Sequence, residues 1–411
     1  MRNLLLATTA LSLAASAALA ESPTISVGGK ITTQVGISEQ KSSFTSGPTV
    51  RLQDGRDSHI RTDSRVDLKV SGKAENGLGY GGVTSIIGNA SGQDDDGNNS
   101  TAGEKTYVFV ESGLGKVEAG SNNGASQTMK VGAQSFAKGS GGIAGDFYKF
   151  VNLGAVSSGA GLQRDKFIVT PDLPSVATPG SRNLNASAAG ISPADQPVTE
   201  YANKITYYSP RIMGVQAGVS YVPNTGERAN ANGFAGKYTG GTAPAYYQNV
   251  FTGGLNYQAE ISGINFRGSA VTEQAGKTQR ANSGDSNGYT EMNSYEVGGV
   301  ASVSGISVGG SYATIPDFGG LTAKSEEGNF WTAGAGYEFG PFAASITYLQ
   351  SEAKDSAHKN KFENISVGAD YKLAPGLVPY VEVSFFDADS DLQDITTNSG
   401  NVLLVGTQLT F

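Results

Sequence analysis

Residues 59–74 sort their side chains by parity. Ile60, Val66, Leu68 and Val70 share one parity with Thr62 and Ser64, while His59, Arg61, Asp63, Arg65, Asp67 and Lys69 hold the other. A charged row beside an apolar row at period two is a β-strand with one face in water and one in an apolar medium, because successive side chains of a strand point to opposite faces. A helix would scatter these residues around its axis. Thr24–Gly36 repeats the pattern, with Ile25, Val27, Ile31 and Val35 opposing Ser26, Lys30, Thr32 and Gln34. The end of the sequence repeats it again. Leu403, Val405, Leu409 and Phe411 share a parity with Thr407, and Gly406, Gln408 and Thr410 take the other, although Val402 and Leu404 blur the alternation. A tilted strand needs about 9–11 residues to cross a bilayer, the length of this alternating segment.

Seven tight Gly- or Pro-containing turns separate strand patterns: Asn76-Gly77, Gly113-Leu-Gly115, Ser209-Pro-Arg211, Ser262-Gly263, Ser304-Gly305, Gly340-Pro341 and Pro375-Gly376. Seven hairpins make fourteen strands, and the first and last segments bring the count to sixteen. The eight remaining connections are long and polar, at about residues 37–58, 89–103, 122–198, 223–244, 274–290, 317–327, 351–360 and 388–399. The expected fold is all-β: a sixteen-stranded antiparallel transmembrane β-barrel with short periplasmic turns and long extracellular loops. An even count lets the first and last strands pair, which removes both sheet edges. Phe251, Leu255, Tyr257, Ile264, Phe266, Trp331, Tyr337, Ile346, Tyr348, Ile365, Val367, Val381, Val383 and Phe385 are expected to face outward. Tyr107, Tyr207, Tyr221, Phe339, Phe342, Tyr371 and Tyr380 lie near strand ends, where aromatic girdles sit. The competing architecture is a soluble β-sandwich with one wet face.

Arg2, the apolar stretch Leu4–Ala15 and Ala18-Leu19-Ala20 read as a signal peptide over residues 1–20, leaving a barrel domain over 21–411. The formal charge is −8, and removing Arg2 with that segment gives −8 − 1 = −9. No basic patch suits nucleic acid. With no cysteine there is neither a disulfide nor a thiolate metal site. Hydrophobic content of 38% suits a water-filled barrel, where only alternate strand residues meet lipid.

Three stretches resemble the Gram-negative general-diffusion porins, most closely their alphaproteobacterial branch. Asn203-Lys-Ile-Thr-Tyr-Tyr-Ser-Pro-Arg211, followed by Gly214-Val-Gln-Ala-Gly-Val-Ser-Tyr221, is similar to the sixth and seventh strands of that family. Gly113-Leu-Gly-Lys-Val-Glu-Ala-Gly120 resembles the turn into strand five. Gly141-Gly-Ile-Ala-Gly-Asp-Phe-Tyr148 resembles part of the third loop. The resemblance runs end to end. It implies a homotrimer in the outer membrane, a third loop folded inward to narrow each pore, and a terminal Phe411 read by the barrel assembly machinery. The chain departs from the pattern in a Pro-, Ala- and Ser-rich section from Pro171 to Pro197 within the third loop.

A diffusion pore needs polar walls and a constriction rather than a catalytic constellation. Lys30, Arg61, Arg65 and Lys69 are the expected lumen cations, with Asp146, Lys138 and Lys149 on loop three. Opposed acids and bases across a narrow gap would orient dipolar solutes. Arg61, Asp63, Arg65 and Asp67 would equally pair along the wall, since i and i+2 share a face. The acidic total favours a weak cation preference. Gly305-Ile-Ser307-Val-Gly309 matches a nucleophile elbow, but the elbow needs a strand-to-helix turn and only His59 or His358 would serve as base. No enzyme activity and no cofactor is expected. Asp94-Asp95-Asp96-Gly97-Asn98 begins like a calcium loop, yet Asn99 and Lys105 stand where Gly and Glu are required. With Asp387, Asp389, Asp391 and Asp394 it suggests loose divalent cations between acidic outer loops and lipopolysaccharide. Two further readings are a substrate-specific (for example sugar) porin and a non-conducting adhesin or structural anchor.

Overall fold

The computed structural model describes residues 22–42, 58–88, 102–151, 167–174, 199–200, 202–225, 227, 247–276, 291–318, 327–354, 359–391 and 397–411. The segment 1–20, the Asp94–Asn99 stretch, His358 and Asp394 lie outside them, as does most of Pro171–Pro197. Sixteen strands are formed: β1 (Thr24–Ser42), β2 (Ser58–Lys73), β3 (Gly79–Ile87), β4 (Ala102–Ser112), β5 (Gly115–Ser121), β6 (Asn203–Tyr208), β7 (Val215–Asn224), β8 (Gln248–Ile261), β9 (Ile264–Ala275), β10 (Met292–Val303), β11 (Ile306–Phe318), β12 (Glu327–Phe339), β13 (Phe342–Lys354), β14 (Lys359–Tyr371), β15 (Leu377–Ser390) and β16 (Asn398–Thr410). Each pairs antiparallel with its sequence neighbours, and β1 pairs with β16 to close the barrel.

All seven tight turns join the strands expected of them. Two show the chemistry plainly. Ser262-Gly263 (φ 53° and 78°) and Ser304-Gly305 (φ 49° and 83°) have positive φ at both central positions, the geometry whose twist matches that of flanking antiparallel strands. Register then fixes the faces. Ile25, Val27, Ile31 and Val35 on β1 and Ile60, Val66, Leu68 and Val70 on β2 are exposed on the outside. The cross-strand pairs Lys30↔Arg65, Thr32↔Asp63 and Gln34↔Arg61 point inward. No helix among the described residues is long and apolar enough to cross a membrane.

Two parts of the expected pattern are corrected. Tyr380 and Tyr107 are not girdle residues. Outward Val381 and Val108 turn them to the lumen side, where Tyr380 is buried and its hydroxyl donates to Gln34 Oε1 at 2.8 Å. Val402 and Leu404 do not blur the last strand but face inward and are fully buried. They belong to an apolar core inside the barrel, with Ile315, Phe330, Leu349, Phe362 and Phe386 on the wall and Ile143, Phe147 and Phe150 on the third loop. Where a loop packs on the inner wall, both strand faces become apolar and the period-two signal fades.

Candidate functional site

The third loop follows β5 and lies against the inner wall. Its short helix α1 (Ala125–Met129) packs on β6–β9, and the 3-10 turn Ala133–Phe136 packs on β11–β13. Gly142–Ala144 packs on β13–β15, and Asp146–Phe150 reaches β16 and β1. Inward glycines let the loop backbone approach this closely. A Cβ at Gly298 would overlap the Val131 carbonyl oxygen, and one at Gly368 would overlap that of Lys138.

Wall side chains then bind the loop. Glu382 is fully buried and accepts backbone N–H bonds from Ser140 (2.9 Å), Gly141 (3.3 Å) and Gly142 (3.0 Å), and the Ser140 hydroxyl at 2.9 Å. Gly139, Gly141 and Gly142 have φ of 80°, 134° and 61°, so successive N–H groups converge on one carboxylate as an anion nest. Asp370 accepts the Gly139 N–H at 2.6 Å, and Ser345 accepts that of Lys138 at 2.8 Å. On the loop, Lys130 Nζ donates to Asp172 (2.6 Å) and to the Pro171 carbonyl (2.8 Å). Burial disfavours both charges, but their mutual attraction prevails: the Asp172 carboxyl is held below its ordinary range and the Lys130 ammonium above its own.

Among the described residues, the wall of β2–β4 stays largely outside this cover. The described part of the loop touches β2 toward one end, where His59 stacks on Phe150 with ring centroids 4.1 Å apart and Lys149 Nζ meets Asp63 at 3.4 Å. The inward row of β2 is a paired ladder. Arg61 lies 4.0 Å from Asp63, and Arg65 donates to Asp67 at 2.9 Å and to Ser85 at 3.2 Å. Lys69 and Lys116 stand 5.8 and 4.8 Å from the centre of the Phe109 ring, and Lys116 pairs with Glu118 at 2.6 Å.

The expected site residues divide into two groups. Lys30, Arg61, Arg65 and Lys69 share the inward face of β1–β2, with Lys30 directly opposite Arg65. Asp146, Lys149 and Lys138 are engaged as tethers. Asp146 accepts Gln34 Nε2 at 2.6 Å and meets Lys149 at 3.2 Å, while Lys138 binds Glu338 at 2.5 Å. Gln34, Glu382 and Asp370 were not singled out from the sequence as site residues. The signal for them is the run Gly139-Ser140-Gly141-Gly142, a backbone made to wrap an anion. Ser307 opens β11 after a hairpin and shares a hydrogen bond with Ser302 at 2.8 Å, so its surroundings are not those of an elbow. Among the described residues no three His, Cys, Asp or Glu side chains group to hold a metal.

An apolar exterior, a wet charged wall inside and a loop laid across the bore are the architecture of a membrane β-barrel channel. The chain belongs to the Gram-negative porins, whose family model matches residues 7–391. An uncharacterized protein of Rickettsia felis is 29% identical over 353 residues, covering 74% of this chain and 76% of its own length. Another from Rickettsia bellii is 28% identical over 360 residues, with 76% and 77% covered. Among solved structures, an anion-selective porin from Comamonas acidovorans superposes with TM-score 0.57 at 17% identity, over 95% of this chain and all of that one. The outer membrane protein OmpT of Vibrio cholerae gives 0.58 at 11% identity, over 96% of this chain and all of that one. At these identities the likeness is one of fold.

Proposed function

We propose that this porin is a general-diffusion pore in which ions and small hydrophilic solutes pass between the third loop and the β2–β4 wall. The observation that carries this reading is the asymmetry of the bore: the loop is tied to the wall from β6 round to β1, and the charged ladder opposite is left facing water. Inward Phe330, Phe362 and Phe386 seat the loop and are buried, so these three take no part in a slide for a sugar. Planar-bilayer recording tests the reading. Large ohmic steps that do not saturate with solute support it, saturation by one solute supports a specific channel, and silence supports an anchor.

Selectivity follows the local wall rather than the whole chain, because screening limits distant charges to about 8–10 Å. Lys30, Arg61, Arg65, Lys69, Lys105, Lys116 and Lys149 outnumber Asp63, Asp67, Glu118 and Asp146, and at the turn end Lys73 and Glu111 add one of each. This favours a weak anion preference, the reverse of what the total charge suggests. Reversal potential in a salt gradient decides it, and a cation preference would refute it.

The protein works as a homotrimer in this reading. The outer faces of β1–β5 carry branched aliphatics with Tyr80 as their one described ring, whereas those of β8–β13 carry Phe251, Tyr257, Tyr295, Tyr312, Trp331, Tyr337, Phe339 and Phe342. A face that meets protein has no use for an interfacial girdle. Light scattering of the detergent-purified protein tests the stoichiometry. Lipopolysaccharide with bridging cations at the outer loops, and assembly machinery at Phe411, complete the set of partners.

A further inference from the structure

A half-buried aromatic ring stands on the open wall. Phe109 of β4 points into the bore, because Val108 beside it is exposed on the outside and successive side chains alternate. Unlike Phe330, Phe362 and Phe386, it takes no part in the apolar core that seats the third loop. Register sets Thr24, Ser71, Gly81, Phe109 and Glu118 in one inward row across β1–β5. The three residues on the β1 side of the ring are small, and the ring leans over the nearest of them: a Cβ at Gly81 would lie 2.7 Å from Phe109 Cζ. Small side chains beside a large one leave the ring bordering a shallow hollow over Ser71 and Gly81.

Two ammonium groups attend this ring, Lys116 Nζ at 4.8 Å from its centre and Lys69 Nζ at 5.8 Å. They are not equivalent. Lys116 pairs with Glu118 at 2.6 Å, and Glu118 accepts a second bond from Asn122 Nδ2 at 2.6 Å, so that carboxylate is taken. Lys69 pairs with no carboxylate among the described residues, and the ring is its charge contact. Asp67, two residues before it on the same face, is bound to Arg65 and to the Ser85 hydroxyl. One row nearer the turns, Lys73 and Glu111 add one charge of each sign. The groups around the ring therefore favour an anion, and the Lys69 ammonium keeps N–H donors for it.

We propose that Phe109, Lys69 and Lys116 form a low-affinity subsite for aromatic carboxylates on the open wall of the bore. A ring of the solute stacks offset on Phe109, and its carboxylate accepts a charge-assisted hydrogen bond from Lys69. Neither half suffices. A lone lumen lysine attracts any anion and a lone ring any flat apolar body, and only their meeting at one place selects a molecule with both. An aromatic cation meets like charge there. The subsite rests on the pore reading, which brings solute past this wall, and deepens it: small hydrophilic solutes all pass, and this class is held longer.

Saturation-transfer NMR on the full barrel in detergent reads binding whether or not the barrel conducts. Benzoate is the probe, acetate supplies the charge without the ring, and benzamide supplies the ring without the charge. Benzoate is expected to bind in the millimolar range, and the other two at least several-fold more weakly. Phe109→Leu keeps the bulk and removes the π face, and Lys69→Gln keeps the length and removes the charge. Each should weaken benzoate at least several-fold, and Lys69→Gln secures the test if Phe109→Leu does not refold. In planar bilayers in potassium chloride, benzoate should lower the wild-type current saturably, and acetate should not. Benzoate bound no better than acetate or benzamide would overturn the proposal. So would benzoate binding left intact by both variants, which would place it elsewhere. Ohmic steps without benzoate binding would remove the subsite and keep the pore, whereas benzoate bound at this site by a silent barrel would keep the subsite and remove the pore.

Discussion

On β14–β16 the inward parity carries Phe362, Phe386, Val402 and Leu404, and on β2 it carries Arg61, Asp63, Arg65, Asp67 and Lys69. Both rows belong to one continuous barrel and stand at the same alternation. The first is dry because the third loop lies on it. The second is wet, and its charges are compensated in pairs along the wall. One strand architecture thus supports a protein core and an aqueous wall a few strands apart, and what separates them is a loop tied down by carboxylates. The polar residues of the covered side, Glu382 and Asp370 foremost, serve the loop. Those of the open side pair along a wall that faces water.

Glu382→Ala should erase this difference most strongly. It strands three N–H groups and a hydroxyl, and breaking a buried charge-assisted network of this kind costs about 3–5 kcal/mol. Thermal unfolding should fall accordingly, and single-channel current should become noisy and larger as the loop leaves the wall. Stability and current both unchanged would show that the nest is not the anchor. Gly298→Leu attacks the same contact sterically, since its side chain must displace the Val131 backbone. Overpacking of this sort costs about 1–3 kcal/mol, and limited proteolysis should then reach the loop. Arg61→Gln with Arg65→Gln changes only the open side. Folding should be nearly unaffected, while the reversal potential moves toward cations by about a few-fold in permeability ratio, as expected for charges worth roughly 1 kcal/mol each at close range in water.

The smallest effect concerns pH. Asp172 has its carboxyl pKa lowered by Lys130, so its contribution is present above the unfolded carboxylate range and is lost as pH falls through the folded value. The Lys130 pKa is raised, so its contribution is present below the unfolded lysine value and is lost only as pH rises through the higher folded one. Glu273 and Glu296 face the same ammonium. The tether should therefore hold across neutral pH and weaken in acid. Asp172→Asn should flatten the acid arm of a melting-temperature profile, and an unchanged arm would show that the pair does not contribute.

The strands and turns were legible because they obey local rules. Parity in 59–74 and the Ser-Gly pairs at 262–263 and 304–305 decide structure within a few residues. The seat of the loop was not legible, because it depends on contacts between distant segments. Val402 and Leu404 show the limit: the same residues that blur the pattern in sequence are buried by Phe147 and Phe150, some 250 residues earlier. Asp146 shows it for the site. Its charge suggested a partner across the bore, and its neighbours Gln34 and Lys149 make it a fastener instead.

The seam between β1 and β16 has a consequence for the order of assembly. Thirteen residue pairs run from Lys30↔Thr410 to Ser42↔Asn398, and beyond them Gly29 and Phe411 exchange both backbone hydrogen bonds, at 2.9 and 3.2 Å. The seam therefore joins strands about 370 residues apart in sequence. Until it closes, β1 and β16 each keep one ladder of donors and acceptors unsatisfied, an open edge that any other strand could occupy. Closure is the longest-range pairing in the barrel and the slowest to find by chance, so the assembling barrel should be most vulnerable to mispairing while that seam is still open.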